Sequence, residues 1–184
     1  PMELQENAAA GHRGNGEMIE GRWHTYPEMA AAGLWTTPAD LLKYAAEVQL
    51  SYTGESNKIL SQEMTDEMLS PQMKNQGLGP GLGGSGEQIN FGHGGSNEGY
   101  RCQLFALTKL GQGVVIMTNG DRGGELISEI LRSFSKVYKW NPFKPAIKSV
   151  VPLTDQELER FAGQYKLIIQ GNELILDIQT QEDH

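Results

Sequence analysis

The chain contains 184 residues, with a formal net charge of −8 and 38% hydrophobic residues. This length fits one domain with a small appendage and can bury a core. The acidic balance and the lack of any basic run argue against nucleic-acid or anionic-membrane partners, which attract clustered Lys and Arg. The apolar runs are too short to span a bilayer and no signal-peptide pattern is present, so the sequence predicts no transmembrane segment.

The chain begins with turn-forming sequence and then enters a clear helix. Residues 1–33 contain many glycines and little periodicity, which predicts an irregular lead-in, and the opening residues are typical of the middle of a longer protein. Thr37 is a candidate N-cap, Pro38 suits the first helical position, and Asp40 falls in the first turn. The apolar residues that follow have helical spacing, which predicts a helix to about Leu50.

A second helix and a glycine-rich segment follow. Ser61 can cap a helix that runs through Leu69, and Pro71 ends it. The segment from Gly77 to Gly86 has GxGxxG spacing twice, but a dinucleotide site needs a strand before it and a helix after it. A strand pattern follows instead, so we expect a flexible loop or a glycine-rich hairpin and no cofactor.

From residue 89 onwards the pattern changes to strands and then to one long helix. The predicted strands are Ile89–Gly95, Tyr100–Leu107 and Gly113–Thr118. The third strand is apolar on both faces, which is typical of a central strand that is covered on both sides. An amphipathic helix is predicted from about Gly124 to Trp140.

The last part of the sequence has its own small pattern. Pro142 and Pro145 end the long helix and open a linker. A short helix over Thr154–Leu158 is then followed by two alternating strands, Gly163–Ile169 and Glu173–Ile178, joined by a hairpin turn. We therefore expect a first domain over residues 1–145, and a linker with the start of a β-rich module over residues 146–184.

Two segments resemble motifs of one enzyme family. The stretch Ala30–Leu41 (AAAGLWTTPADL) is similar to the segment before a helix in serine β-lactamase-like hydrolases, a family of class C β-lactamases, D-alanyl-D-alanine peptidases and esterases. The stretch Phe91–Tyr100 (FGHGGSNEGY) resembles the third active-site motif of that family, in which His-x-Gly often replaces Lys-Thr-Gly. The resemblance covers about residues 20–140. It implies an α+β fold, namely a partial β-lactamase/transpeptidase-like fold of antiparallel strands packed with helices, with an incomplete N-terminal half.

The resemblance also implies roles for four consecutive residues. His93 would be the catalytic group that supplies charge and hydrogen bonds beside the substrate carboxylate and the nucleophile. Gly94 and Gly95 would let substrate approach the strand edge closely. The backbone N–H of Ser96 would be one of two oxyanion-hole donors. Alternatively, His93 is a strand residue near a turn that makes only a structural hydrogen bond.

The family also needs a Ser-x-x-Lys nucleophile motif and a Tyr-x-Asn base motif, both expected upstream of this sequence. Ser133 and Lys136 have the first spacing, but they lie near the end of the amphipathic helix on its polar side. A nucleophile belongs at a helix N-terminus facing a pocket, so we interpret this match as a coincidence. The chain alone is therefore expected to be inactive.

Other reactive residues give little signal. The single Cys102 cannot form an internal disulfide and, within a strand, is expected to be a small buried hydrophobe. The four histidines lack metal-ligand spacing, so no metal is predicted. Trp23, His24 and Tyr26 form an aromatic group that could line a pocket or cover the edge of a core.

Two functional hypotheses follow. The first is a fragment of a serine hydrolase that acts by acyl-enzyme chemistry on β-lactams, D-amino-acid peptides or esters, with a small-molecule or peptide substrate and, by resemblance, an extracytoplasmic location. The alternative is a non-catalytic interaction or ligand-binding module that retains half of the fold. In either case we expect self-association through the apolar strand 113–118, whose usual neighbour in the family would precede this sequence.

Overall fold

The computed structural model describes residues 5–145, 147–149, 151–169 and 171–180. The chain divides into two units, one over Pro1–Pro145 and the other over Ala146–His184. Among the described residues, no helix is long and apolar enough to cross a membrane. The helices and the antiparallel strands occur together in one chain, which confirms the predicted α+β class.

The helices of the first unit begin where the sequence offers caps. A short helix α1 spans Met29–Ala32 in the lead-in, where none was predicted. Helix α2 spans Pro38–Thr53, with the Thr37 side chain accepting a hydrogen bond from the Asp40 N–H, and it ends at Gly54 with φ of 79°. Helix α3 spans Gln62–Met68 and is capped by Ser61. Helix α2 therefore continues about one turn beyond the predicted end at Leu50.

Four antiparallel strands form the sheet of the first unit, in the order β1-β2-β3-β4. Their bounds are Gly81–Gly83, Asn90–Asn97, Tyr100–Leu107 and Gln112–Thr118. The glycine-rich segment thus contributes the short strand β1, which pairs with the first half of β2, as in the hairpin alternative. Strand β2 extends to Asn97 and so includes the four candidate site residues His93, Gly94, Gly95 and Ser96, here called the third-motif residues.

Helices cover the sheet on both faces. Helix α4 spans Gly123–Tyr138 and packs with Phe105, Val114, Ile116 and Trp140 in one buried cluster. On the other face, Ala45 and Val48 of α2 pack with Phe91, Leu104 and Val115. Strand β4 is buried on both faces, as its apolar sequence predicted, but among the described residues of the sheet it pairs only with β3.

The second unit contains a short helix and a hairpin. Helix α5 spans Asp155–Glu159 and begins with a capping box formed by Thr154 and Glu157. Strands β5 (Gly163–Ile169) and β6 (Asn172–Ile178) pair as a separate two-stranded sheet. All of their described residues are exposed.

Candidate functional site

The third-motif residues lie on the half of β2 that has one free edge. Strand β1 pairs with β2 only over Asn90–Gly92, whereas β3 pairs with it over its whole length. The outer edge of β2 from His93 to Asn97 therefore has no strand partner among the described residues. Backbone groups on such an edge remain available to an extended ligand.

The pleat of β2 divides these residues between two faces. His93 lies opposite Leu104, which belongs to the cluster on the α2 face, and its exposed ring places Nδ1 2.6 Å from the Gly94 carbonyl oxygen. Gly94 and Ser96 alternate with it and face the α4 side. At Gly95 there is no space for a side chain, because a Cβ would lie 2.5 Å from the Cys102 Sγ. The fold therefore favours a glycine here as long as Cys102 lies opposite it.

The turn between β2 and β3 is held by charged residues. Asp121 accepts a hydrogen bond from the Gly99 N–H at 2.8 Å and forms an ion pair with Arg101 at 3.2 Å. Arg101 also donates to the carbonyl oxygens of Asn97 and Tyr100, at 2.6 and 2.7 Å. These contacts fix the end of the strand that carries Ser96. Sequence reasoning missed them, although Asn97 lies within the segment Phe91–Tyr100 and Arg101 follows it directly.

The irregular lead-in contacts the same turn. Arg13 forms an ion pair with Glu98, the His24 Nε2 lies 2.7 Å from a Glu98 carboxylate oxygen, and the Glu98 N–H donates to the Tyr26 hydroxyl at 3.2 Å. The Asn97 amide donates to the Ala32 carbonyl oxygen at 2.9 Å. The lead-in, which showed no regular pattern in the sequence, is therefore an ordered support for the turn.

Aromatic rings extend this support. Trp35 makes edge contacts with Trp23 and Tyr100, with ring centroids 5.2 and 5.7 Å apart. His24 makes a similar contact with Tyr26 at 6.1 Å. The aromatic group noted in the sequence thus lies beside the β2–β3 turn, and Trp35 from the Ala30–Leu41 segment joins it. The two segments that resembled the family motifs meet at this place.

A cleft of about 650 Å³ lies between the α4 side of the sheet and helix α4. Gly94, Gly95 and Ser96 form part of its wall. The charged residues that line it, Arg101, Arg132 and Lys144, are all cationic, although the chain has a net charge of −8. Arg101 is partly neutralised by Asp121, while among the described residues the recorded partner of Lys144 is the neutral side-chain oxygen of Asn141. The cleft therefore offers positive charge beside the motif strand, which sequence reasoning did not identify.

Other candidate groups are unsuited to chemistry in this chain. Burial raises the pKa of the Cys102 thiol, so it remains protonated and is a weak nucleophile. Ser133 lies on the exposed side of α4 and donates to the Glu129 carbonyl oxygen at 3.0 Å. In the part of the chain that the structure describes, no cluster of His, Cys, Asp and Glu could hold a metal ion.

Comparison with known proteins gives a family and a fold. The solved structure described as "Crystal structure of SurE" has a TM-score of 0.63 and 18% sequence identity, covering 92% of this chain and 43% of that one. "Crystal structure of SurE with D-Leu" has a TM-score of 0.51 and 16% identity, covering 76% and 37%. The chain thus spans less than half the length of these structures, and at such identities the likeness shows the fold alone.

Sequence comparison is more specific. No curated protein sequence matches the chain significantly. The profile of the family described as Beta-lactamase, however, matches residues 1–132, which include both motif segments and the whole four-stranded sheet. The chain belongs to the Beta-lactamase family.

Proposed function

We propose that this chain supplies the third-motif wall of a serine hydrolase that acts through an acyl-enzyme on carboxylate-bearing substrates, namely β-lactams, D-amino-acid peptides or related esters. The partial β-lactamase/transpeptidase-like fold that this requires is part of the proposal. The observation that carries it is the free edge of β2 over His93–Asn97, which lies beside a cationic cleft. Family membership supports the serine-hydrolase chemistry.

The catalytic roles follow from what a strand edge can offer. An acyl substrate that lies along the edge as an extra strand places its carbonyl oxygen near outward-pointing N–H groups, of which that of Ser96 is the proposed oxyanion donor. The exposed His93 imidazole can then carry charge or a proton beside the reacting group. Gly94 and Gly95 present no side chain to obstruct this approach. The nucleophile is not assigned to any residue of this chain.

The cleft supports an anionic substrate. A carboxylate forms its strongest contacts with guanidinium and ammonium groups, and Arg132 and Lys144 have no carboxylate partner among the described contacts. One of the solved structures of similar fold is described as SurE with D-Leu, and D-Leu is a D-amino acid with a free carboxylate. These two observations favour substrates that end in a D-residue carboxylate.

A binding experiment on this chain tests the carboxylate assignment. N-acetyl-D-alanyl-D-alanine and its C-terminal amide are titrated into the isotope-labelled protein, and amide shifts are followed by NMR. We expect the acid to shift Gly94, Gly95 and Ser96, and Arg132→Ala to weaken its binding by about tenfold or more. Arg122→Ala is the matched control, because that exposed arginine pairs with Glu125 and does not line the cleft. Equal affinity for the acid and the amide would show that the cleft does not bind the substrate carboxylate.

A kinetic experiment tests His93. In a polypeptide that joins this chain to the nucleophile of the family, His93→Ala should lower kcat/KM by about 10- to 1,000-fold while leaving the circular dichroism spectrum unchanged. An unchanged kcat/KM would reduce His93 to a strand residue with a structural hydrogen bond.

The isolated chain tests whether Ser133 is a nucleophile, and a joined polypeptide separates the catalytic proposal from the non-catalytic alternative. We expect no stoichiometric acyl adduct by mass spectrometry with a β-lactam or a p-nitrophenyl ester, either in the wild type or in Ser133→Ala. An adduct that disappears in Ser133→Ala would make Ser133 the nucleophile. A joined polypeptide that binds the acid but shows no acyl transfer would favour the ligand-binding module.

A further inference from the structure

A second, smaller pocket lies at the end of the sheet opposite the β2–β3 turn. Its volume is about 320 Å³, at the lower end of the range for small-molecule sites. The last turn of α2, the segment after α3, the β1–β2 hairpin and the start of the β3–β4 turn bound it, so all of its walls lie within residues 52–108. Strands rise about 3.3 Å per residue, which places Asn90 in its wall about 20 Å from Ser96 along β2. The pocket is therefore distinct from the cationic cleft.

Glycines keep the hairpin wall of this pocket free of side chains. Gly84 has φ of 71°, and a Cβ there would overlap the Gln88 carbonyl oxygen, so the turn after β1 strongly favours glycine. At Gly83 a Cβ would lie 3.1 Å from the side-chain oxygen of Asn90. The Asn90 amide is held by donation to the Gln88 carbonyl oxygen at 3.1 Å. The hairpin wall is thus fixed in place, and no side chain of β1 fills the space beside Asn90.

Thr108 supplies a buried polar group to the pocket. The residue is 4% exposed, and its N–H donates to the Ile89 carbonyl oxygen at 2.9 Å. Its hydroxyl has no hydrogen-bond partner among the described residues, whereas every side-chain nitrogen or oxygen of these residues that is sealed from solvent has one. The hydroxyl is therefore accessible, and the pocket is the route by which it is reached. A buried hydroxyl without a protein partner favours a ligand that supplies one.

The charge of the pocket is positive. Lys74 is the only charged residue that lines it, and this exposed side chain forms no ion pair among the described residues. A carboxylate would pair with the Lys74 ammonium, whereas a cation would meet no opposite charge. Tyr52 and Asn75 offer further hydrogen-bond donors, and Leu69, Leu82 and Ile89 form apolar walls.

We propose that this pocket, here called the β1 pocket, binds a small aliphatic hydroxy acid. The carboxylate accepts a hydrogen bond from Lys74, the ligand hydroxyl pairs with the Thr108 hydroxyl, and the hydrocarbon part packs against Leu82 and Ile89. A volume of about 320 Å³ limits the ligand to a small molecule. The site needs neither a nucleophile nor the third-motif residues, so it is independent of the proposed catalytic function.

An NMR titration of the isotope-labelled full chain with 2-hydroxy-4-methylpentanoate tests the proposal. We expect saturable shifts of the Ile89, Asn90 and Thr108 amides, with a dissociation constant of about 1 mM or lower. Two matched ligands each remove one group: the amide of the same acid lacks the charge, and 4-methylpentanoate lacks the hydroxyl. Each should bind at least about threefold more weakly than the hydroxy acid.

Two substitutions assign the two polar contacts. Lys74→Ala should weaken binding of the hydroxy acid at least about threefold and leave that of its amide unchanged. Lys109→Ala is the matched control, because this exposed lysine follows Thr108 directly and does not line the pocket. Thr108→Val keeps the side-chain shape and should lower the affinity for the hydroxy acid to that for 4-methylpentanoate. Its melting temperature should not fall, since the hydroxyl has no partner within the fold, and this separates lost binding from lost folding.

Three outcomes would overturn the proposal. No saturable shift at Ile89, Asn90 or Thr108 up to about 10 mM ligand would show that the β1 pocket holds only water. Shifts confined to Gly94 and Ser96 would place the acid in the cationic cleft. Equal affinity of Lys74→Ala and Lys109→Ala for the hydroxy acid would show that Lys74 does not bind the carboxylate.

Discussion

Strand β3 of the first unit and strand β5 of the second unit both end in an apolar run, but these two runs lie in very different environments. In β3, the residues Leu104 to Leu107 are between 0 and 7% exposed. In β5, Leu167, Ile168 and Ile169 are 38, 72 and 56% exposed. The difference arises because helices α2 and α4 cover both faces of the first sheet, whereas within the described residues of the second unit nothing comparable covers the hairpin. Burial depends on layers, not on strand propensity.

One face of the hairpin nevertheless carries more apolar side chains than the other. Tyr165 pairs with Leu176, and Leu167 with Leu174, so their side chains share one face, while the Lys166–Glu173 ion pair at 2.6 Å lies on the other. A two-stranded hairpin alone is marginally stable in water. Within its described residues, the second unit therefore has the pattern of part of a β-rich module, and we propose that the two units are separate domains.

The largest expected effect is at Trp140. Its ring is 1% exposed, lies 5.2 Å from the Phe105 ring and donates from Nε1 to the Gln112 side chain at 2.6 Å. Trp140→Ala should lower the free energy of unfolding of the first unit by about 3–5 kcal/mol, from lost burial and a cavity. Leu167→Ala in the hairpin should cost below about 1 kcal/mol. Urea unfolding of both variants measures the contrast, and equal losses would contradict it.

The site strand itself gives the next prediction. Gly95→Ala should destabilise the first unit by about 1–3 kcal/mol, because the new Cβ would lie 2.5 Å from the Cys102 Sγ. Cys102→Ala in the same chain removes that sulfur and should recover most of the loss. Gly94→Ala is the control: its Cβ would lie 3.2 Å from the end of the flexible Gln103 side chain and at an ordinary contact distance of 3.7 Å from the Cys102 carbonyl oxygen. A double-mutant cycle measures the coupling, and strict additivity would show that the contact is not the cause.

The sequence predicted most elements of both units, but not the short helix α1 or the surroundings of the elements. The caps at Thr37 and Ser61 and the period-two pattern of β3 are local signals, so the helices and strands could be placed to within a few residues. The cationic cleft could not be predicted, since Arg101, Arg132 and Lys144 lie on three separate segments. Contacts such as that between the His24 ring and the Glu98 carboxylate depend on how the lead-in crosses the turn, which no local pattern specifies.

A smaller effect on stability is expected from two carboxylates, one in each unit. Glu47 is buried and accepts hydrogen bonds from the Ser56 hydroxyl at 2.6 Å and the Lys58 N–H at 2.9 Å. The bond from Ser56 lowers the pKa of Glu47 from its usual 4.5, and the bond from the Thr154 N–H lowers that of the exposed Glu157. A carboxyl group whose pKa is lower in the folded state than in the unfolded state stabilises the fold at pH values above the unfolded-state pKa. This stabilisation is lost as the pH falls through the folded-state pKa.

Glu47→Gln should therefore lower the melting temperature of the first unit at neutral pH, and the difference from wild type should shrink as pH falls below about 4. Glu157→Gln should change the melting curve less, because its carboxylate remains in water. Thermal melts of both variants between about pH 3 and 7 give the comparison. If the melting-temperature difference between Glu47→Gln and wild type does not vary with pH, the packing of the Glu47 side chain, and not its charge, stabilises the first unit.

The smallest expected effect is also the most direct test of the two-domain proposal. The first unit contains both buried clusters and all of the third-motif residues, so a chain that ends at Pro145 retains every contact that forms its core. We expect this truncation to change the melting temperature of the first unit by no more than about 1–2 °C, since little buried apolar surface is removed. Differential scanning calorimetry of the truncated and full chains measures it. A melting temperature lower by many degrees in the truncated chain would show that the hairpin unfolds together with the sheet. The two units would then differ in burial but would not fold independently.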